Sequence, residues 1–132
     1  MKISIYSDGG SRGNPGPAAY AFIIVKNNKI IMSCSERIGI ATNNIAEYKG
    51  LINGLKKAGE LMAKTVNCYS DSQLVVNQLN GKYLVKAKHL LPLFIEIKKI
   101  TPLFEKVSFM YVPRTNKYIQ ISDALLNKEL DS

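Results

Sequence analysis

Tyr6-Ser7-Asp8 and Tyr69-Ser70-Asp71 repeat one tripeptide, and each copy closes a short apolar run, Met1-Lys2-Ile3-Ser4-Ile5 and Thr65-Val66-Asn67-Cys68. Runs this short, rich in β-branched and aromatic residues and then broken by polar residues or glycine, read as strands. Two carboxylates thus stand at the carboxyl ends of two strands, the edge of an open α/β sheet where ligands and chemistry collect. If the strands are parallel neighbours, Asp8 and Asp71 converge. Converging carboxylates repel unless a cation lies between them. A divalent-metal site is the first expectation.

Working outward, residues 2–7 form a strand and Asp8 opens a Gly- and Pro-rich loop over residues 8–17. Residues 18–26 and 29–38 are strands joined at Asn27-Asn28, a pair that tolerates positive φ in a tight hairpin. Thr42-Asn43-Asn44 offers caps for a helix running to about residue 63. Its apolar stripe is Leu51, Leu55, Ala58 and Met62, at helical spacing. Glu47 heads that stripe, one turn before Leu51. A charge on a buried face needs a partner or a metal, although an acid early in a helix also complements the dipole. Residues 65–70 are the fourth strand. Residues 72–79 form a short helix ended by Asn80-Gly81, and residues 90–100 a further one. Residues 107–112 are the fifth strand, 113–121 a loop, and 123–130 a terminal helix with Ser122 as N-cap. The order is βββαβααβα.

The 132 residues suit one domain, 1–132, and 46% apolar content is ordinary for a globular core. No apolar stretch reaches the roughly 20 residues that span a bilayer. The first residues do not read as a signal peptide, so a cytoplasmic protein is expected. The formal net charge of +8 favours a polyanionic partner, nucleic acid above all, over a merely solvated lysine surface. Cys34 and Cys68 form no paired motif and read as small buried apolar residues, with a disulfide left open by sequence alone.

Asp8, Glu47, Asp71 and Asp123 each fall at an element end that this order can bring to one rim of the sheet. Oxygen ligands suit hard cations such as Mg²⁺ or Mn²⁺. A pair of such ions activates water and stabilises a leaving oxygen in phosphoryl transfer. Asp123 alone also reads as a helix-stabilising first-turn acid.

With these residues in place, the chain resembles a type-one ribonuclease H of the short archaeal and bacterial form. The resemblance is carried by Tyr6-Ser7-Asp8-Gly9-Gly10-Ser11-Arg12-Gly13-Asn14-Pro15-Gly16 and by Ala41-Thr42-Asn43-Asn44-Ile45-Ala46-Glu47-Tyr48. Ser70-Asp71-Ser72-Gln73 through Gly81 follows, then Val112-Pro113-Arg114 and Asp123-Ala124-Leu125-Leu126-Asn127. The motifs stand in family order over nearly the whole chain.

The resemblance implies an α/β fold with a five-stranded mixed sheet, three antiparallel strands then two parallel, and helices on both faces. It implies a monomeric endonuclease that cuts the RNA strand of an RNA–DNA hybrid with two Mg²⁺ or Mn²⁺ ions, leaving 5′-phosphate and 3′-hydroxyl ends. Asp8, Glu47, Asp71 and Asp123 would hold the metal. Gly9, Gly10, Asn14, Thr42, Asn43, Asn44 and Gln73 would meet the hybrid, the amides in its minor groove. Lys82, Lys86 and Lys88 stand where some members carry a longer basic protrusion. They are candidates for DNA-strand phosphates, with Lys49, Lys56 and Lys57 as further ones, and each also reads as a solvated charge. The loop before Asp123 lacks the histidine found in many members and looks about two residues longer than the short-form pattern. Arg114 is the auxiliary candidate there, but it stays protonated and cannot act as a base. The only histidine, His89, reads as a surface or cap residue. Two alternatives compete: an inactive hybrid-binding module, and a nuclease that also cuts RNA–RNA duplexes.

Overall fold

β1 (Lys2–Ser11), β2 (Gly16–Lys26) and β3 (Lys29–Ala41) form an antiparallel meander in the computed structural model, which describes residues 1–132. Asn27 and Asn28 turn the β2–β3 hairpin with φ of 52° and 62°, the left-handed pair that a two-residue loop requires. β4 (Thr65–Ser70) pairs parallel with β1, and β5 (Lys106–Tyr111) pairs parallel with β4. The sheet order is β3-β2-β1-β4-β5, so β1 is the strand that joins the antiparallel half to the parallel half. The helices are α1 (Asn43–Glu60), α2 (Gln73–Leu79), α3 (Leu91–Ile100) and α4 (Lys117–Asp131).

Side-chain alternation divides the sheet between two helical layers. Ile3 and Ile5 of β1 and Tyr20, Phe22 and Ile24 of β2 point to one face. There they form the main core with Tyr48, Leu51, Leu55 and Ala58 of α1. Ala19 and Ala21 of β2 point to the other face, where the small side chains let Leu126 of α4 pack closely. Full burial of a side chain such as Leu55 contributes about 2 kcal/mol. The five-stranded mixed sheet with helices on both faces is the architecture the motifs led us to expect.

Several boundaries differ from the sequence reading. β1 runs on through Asp8 to Ser11, β2 begins at Gly16 and β3 extends to Ala41, so Asp8 lies within a strand rather than in a loop. Cross-strand pairing down to Ser11↔Ala18 absorbs the glycines. α1 stops at Glu60, and Met62 leaves the apolar stripe at positive φ with 81% of its surface exposed.

The largest correction is at α4. It begins at Lys117, with Asn116 as its cap: the Asn116 side-chain oxygen accepts from the backbone N–H groups of Tyr118 (2.9 Å) and Ile119 (3.2 Å). Ser122 is therefore no N-cap. It is buried inside the helix, and its hydroxyl donates to the Tyr6 carbonyl at 2.7 Å. Residues 117–122, expected as the end of a loop and a cap, are helical. Lys117-Tyr118-Ile119-Gln120-Ile121 has modest helix propensity, but Ile119 is fully buried and the Tyr118 ring packs on Tyr6 at 4.8 Å, so tertiary contacts decide. Cys34 and Cys68 are both free thiols.

Candidate active site

β1 and β4 run parallel with Tyr6 opposite Tyr69 and Ser7 opposite Ser70, which sets Asp8 and Asp71 abreast at the carboxyl end of the pair. The Tyr6 and Tyr69 rings stack at 4.6 Å just below them, on the same face by alternation. Glu47 comes from the second turn of α1, on the opposite face. It reaches the strand ends because the α1 backbone lies directly against β1: a Cβ at position 9 would sit 2.3 Å from the Ala46 carbonyl carbon. Only glycine fits there. The missing side chain of Gly9 makes room for α1.

The contact orients Glu47. The Gly9 N–H donates to Glu47 Oε1 at 2.5 Å and to Asp8 Oδ1 at 2.9 Å, and the Ser70 hydroxyl donates to Glu47 Oε2 at 3.2 Å. Ser70 in turn accepts from the Ser72 N–H at 3.1 Å. Asp8, Glu47 and Asp71 each present an oxygen to one point, all three within 4.8 Å of one another. Asp123 lies outside that trio but lines the same cavity of about 370 Å³, having entered from α4.

These groups carry more negative charge than their surroundings tolerate. Burial raises the Asp8 carboxyl far above the usual carboxylate range, and the neighbouring Glu47 and Asp71 raise it further. Burial also raises Glu47, against the lowering effect of its hydrogen bonds from Gly9 and Ser70. Asp71 is raised by burial, in part offset by Arg114, whose exposed guanidinium lies 3.7 Å away. The donor set is all carboxylate, without thiol or imidazole. It fits a hard divalent cation, which would relieve the repulsion.

The cavity rim holds Gly9, Gly10, Asn43, Asn44 and Arg114 from the expected set. Asn14 accepts from the Asn43 N–H at 2.9 Å, and Asn43 accepts from the Ser11 N–H at 2.8 Å, so the oxygens of both amides are engaged and their NH₂ ends remain as donors. Thr42 caps α1 by accepting from the Ile45 N–H at 3.3 Å. Gln73 is exposed at the start of α2, outside the cavity lining. Lys82, Lys86 and Lys88 are exposed on the segment between α2 and α3 and do not line the cavity either. Lys56 and Lys57 already form surface ion pairs with Glu96 (3.2 Å) and Glu60 (3.1 Å). Sequence reasoning assigned no role to Ser70, Arg12 or Asn127, although all three lie inside the quoted motifs. Ser70 precedes an acid on a strand, so alternation already pointed it toward α1, where Glu47 lies.

A family model described as reverse transcriptase-like matches residues 6–125. Ribonuclease HI of Halobacterium salinarum is 36% identical over 131 residues, 98% of this chain and 65% of its own length. The crystal structure of that archaeon's RNase H1 superposes with a TM-score of 0.94 over 99% of this chain and 98% of the other.

The chain belongs to the type-one ribonuclease H family.

A bifunctional protein of Mycobacterium tuberculosis, Rv2228c, is 40% identical over the full chain, which spans only 36% of that relative's length. Its N-terminal RNase H domain has a TM-score of 0.93 at 38% identity, over 99% of this chain and 94% of that domain's. LC11-RNase H1, solved in complex with an RNA/DNA hybrid, has a TM-score of 0.89 at 34% identity, over 98% of this chain and 96% of that one. No helix of this chain is long and apolar enough to cross a membrane.

Proposed function

We propose that this chain is an endonuclease that hydrolyses the RNA strand of RNA–DNA hybrids, working in the cytoplasm as a monomeric single domain. The observation that carries the reading is the convergence of Asp8, Glu47 and Asp71 oxygens within 4.8 Å at the end of β1 and β4. A surface that only bound nucleic acid would gain nothing from clustered negative charge beside phosphates. Similarity to a family member solved with a hybrid supports the substrate class.

Asp8, Glu47, Asp71 and Asp123 would hold the divalent ions. Bound there, a pair of Mg²⁺ or Mn²⁺ ions would activate the attacking water and neutralise the leaving oxygen, giving 5′-phosphate and 3′-hydroxyl ends. The protein's own part is positioning. Gly9 and Ser70 fix both oxygens of Glu47, so its carboxylate needs no reorganisation during the reaction. The free NH₂ ends of Asn14 and Asn43 offer donors to base edges and sugar oxygens, and the 2′-hydroxyl distinguishes RNA from DNA at such a site. The Arg114 guanidinium lies 3.7 Å from Asp71, where it draws the scissile phosphate in and steadies the carboxylate. Asp8→Asn tests the assignment: cleavage is lost while hybrid binding in chelator persists. Retained cleavage in that variant would refute the role of Asp8.

A further inference from the structure

Asp123 is the site carboxylate that the strand ends do not hold. It stands on α4, outside the Asp8–Glu47–Asp71 group, and its position depends on how that helix is pinned. Two more side chains line the same cavity without a part in the chemistry above. Arg12 lies in the turn between β1 and β2, and Asn127 lies one helical turn after Asp123. They are joined. Arg12 Nη1 pairs with Asp131 at 2.8 Å, and Arg12 Nη2 donates to Asn127 Oδ1 at 3.3 Å. Asn127 Nδ2 donates to the Asp123 carbonyl at 3.0 Å and to Asp123 Oδ2 at 3.3 Å.

The polarity of this chain of contacts follows from the groups themselves. A guanidinium only donates, an ionised carboxylate only accepts, and a primary amide has one end of each kind. Arg12 therefore decides which way the Asn127 amide faces. Its oxygen meets Arg12, so its NH₂ meets Asp123. The flipped amide would set NH₂ against guanidinium and oxygen against carboxylate, two repulsive contacts. Asp131 holds Arg12 in turn. The Arg12–Asp131 pair is about half exposed on one side and more on the other, so it adds little to global stability. Its effect is local: one oxygen of Asp123 is fixed toward α4.

We infer that Arg12 and Asn127 are positioning residues for hydrolysis, acting as a relay from the β1–β2 turn that sets the Asp123 carboxylate. The inference rests on the ribonuclease reading above. The experiment compares wild type, Asn127→Ala, Asn127→Asp and Arg12→Ala, each also in an Asp123→Ala background. Single-turnover cleavage of a labelled hybrid, hybrid binding in chelator and thermal melting are measured. Asn127→Ala removes one charge-assisted hydrogen bond and lowers the cleavage rate about tenfold. Asn127→Asp, isosteric but repulsive toward Asp123, lowers it at least as far. Hybrid affinity and melting temperature stay near wild type. With Asp123 already removed, neither Asn127→Ala nor Arg12→Ala lowers the rate further, as residues acting through Asp123 must behave. Wild-type cleavage with unaffected variants, or an equal loss in the Asp123→Ala background, overturns the relay alone. Failure of the wild type to cut any hybrid overturns the ribonuclease reading and the relay with it.

Discussion

Asp8→Asn should stabilise the metal-free protein near neutral pH. Asp8 is only 7% exposed, and the oxygens of Glu47 and Asp71 lie within 4.8 Å of its own. Two unit charges at that separation repel by about 3 kcal/mol at an effective dielectric of about 20. Part of that repulsion is already relieved in the wild type by proton uptake, and Asn keeps an oxygen to accept from the Gly9 N–H. A net gain of about 2 kcal/mol follows, or roughly 8 °C in melting temperature for a chain of this size. The sign with pH is fixed. The folded-state pKa of Asp8 is raised by burial and by its acidic neighbours. Its protonated form therefore stabilises the fold fully below the unfolded value of about 4, and that contribution is lost as pH rises toward the folded value. The advantage of Asp8→Asn should be near zero at about pH 4 and grow through about pH 7. Thermal denaturation in chelator across that range measures it. Added Mg²⁺ should raise the wild-type melting temperature and narrow the gap. A variant less stable than wild type at neutral pH, or a gap that does not change with pH, would refute the reasoning.

Gly9→Ala places a Cβ 2.3 Å from the Ala46 carbonyl carbon, so α1 must shift off β1. We expect a loss of about 3 kcal/mol in urea unfolding, with cleavage lost as Glu47 moves. Replacing Lys82, Lys86 and Lys88 together with alanine should weaken hybrid binding and flatten its dependence on salt. The slope of log affinity against log salt should fall by about 0.9 for each phosphate contact removed. An unchanged slope would place the DNA strand elsewhere.

The succession of strands and helices was legible in the chain because it depends on local patterns, whereas the parallel pairing of the two Tyr-Ser-Asp strands, on which the convergence of Asp8 with Asp71 rests, stood as a condition that only the family motifs filled. Short β-branched runs, the Thr42 cap and the Asn27-Asn28 turn each state their conformation within a few residues. What was not legible depends on contacts between distant segments. The first turn of α4 exists because Ile119 is buried and Tyr118 packs on Tyr6, over a hundred residues away in sequence. The need for glycine at position 9 comes from the Ala46 backbone. Ser70 and Asn127 acquire roles only from the partners they meet, Glu47 in one case and Arg12 with Asp123 in the other. Alternation along β4 could have signalled Ser70, but nothing local distinguishes Asn127 from any exposed helical asparagine.

The most direct test of the central claim is cleavage of an RNA–DNA hybrid with end-labelled RNA, run with Mg²⁺, with Mn²⁺ and with chelator, beside single-stranded RNA and an RNA–RNA duplex. Internal cuts confined to the hybrid, present with metal and abolished by chelator, are the predicted result. A hybrid that is bound but left intact under both metals would contradict it, and would show that these converging carboxylates do not serve hydrolysis.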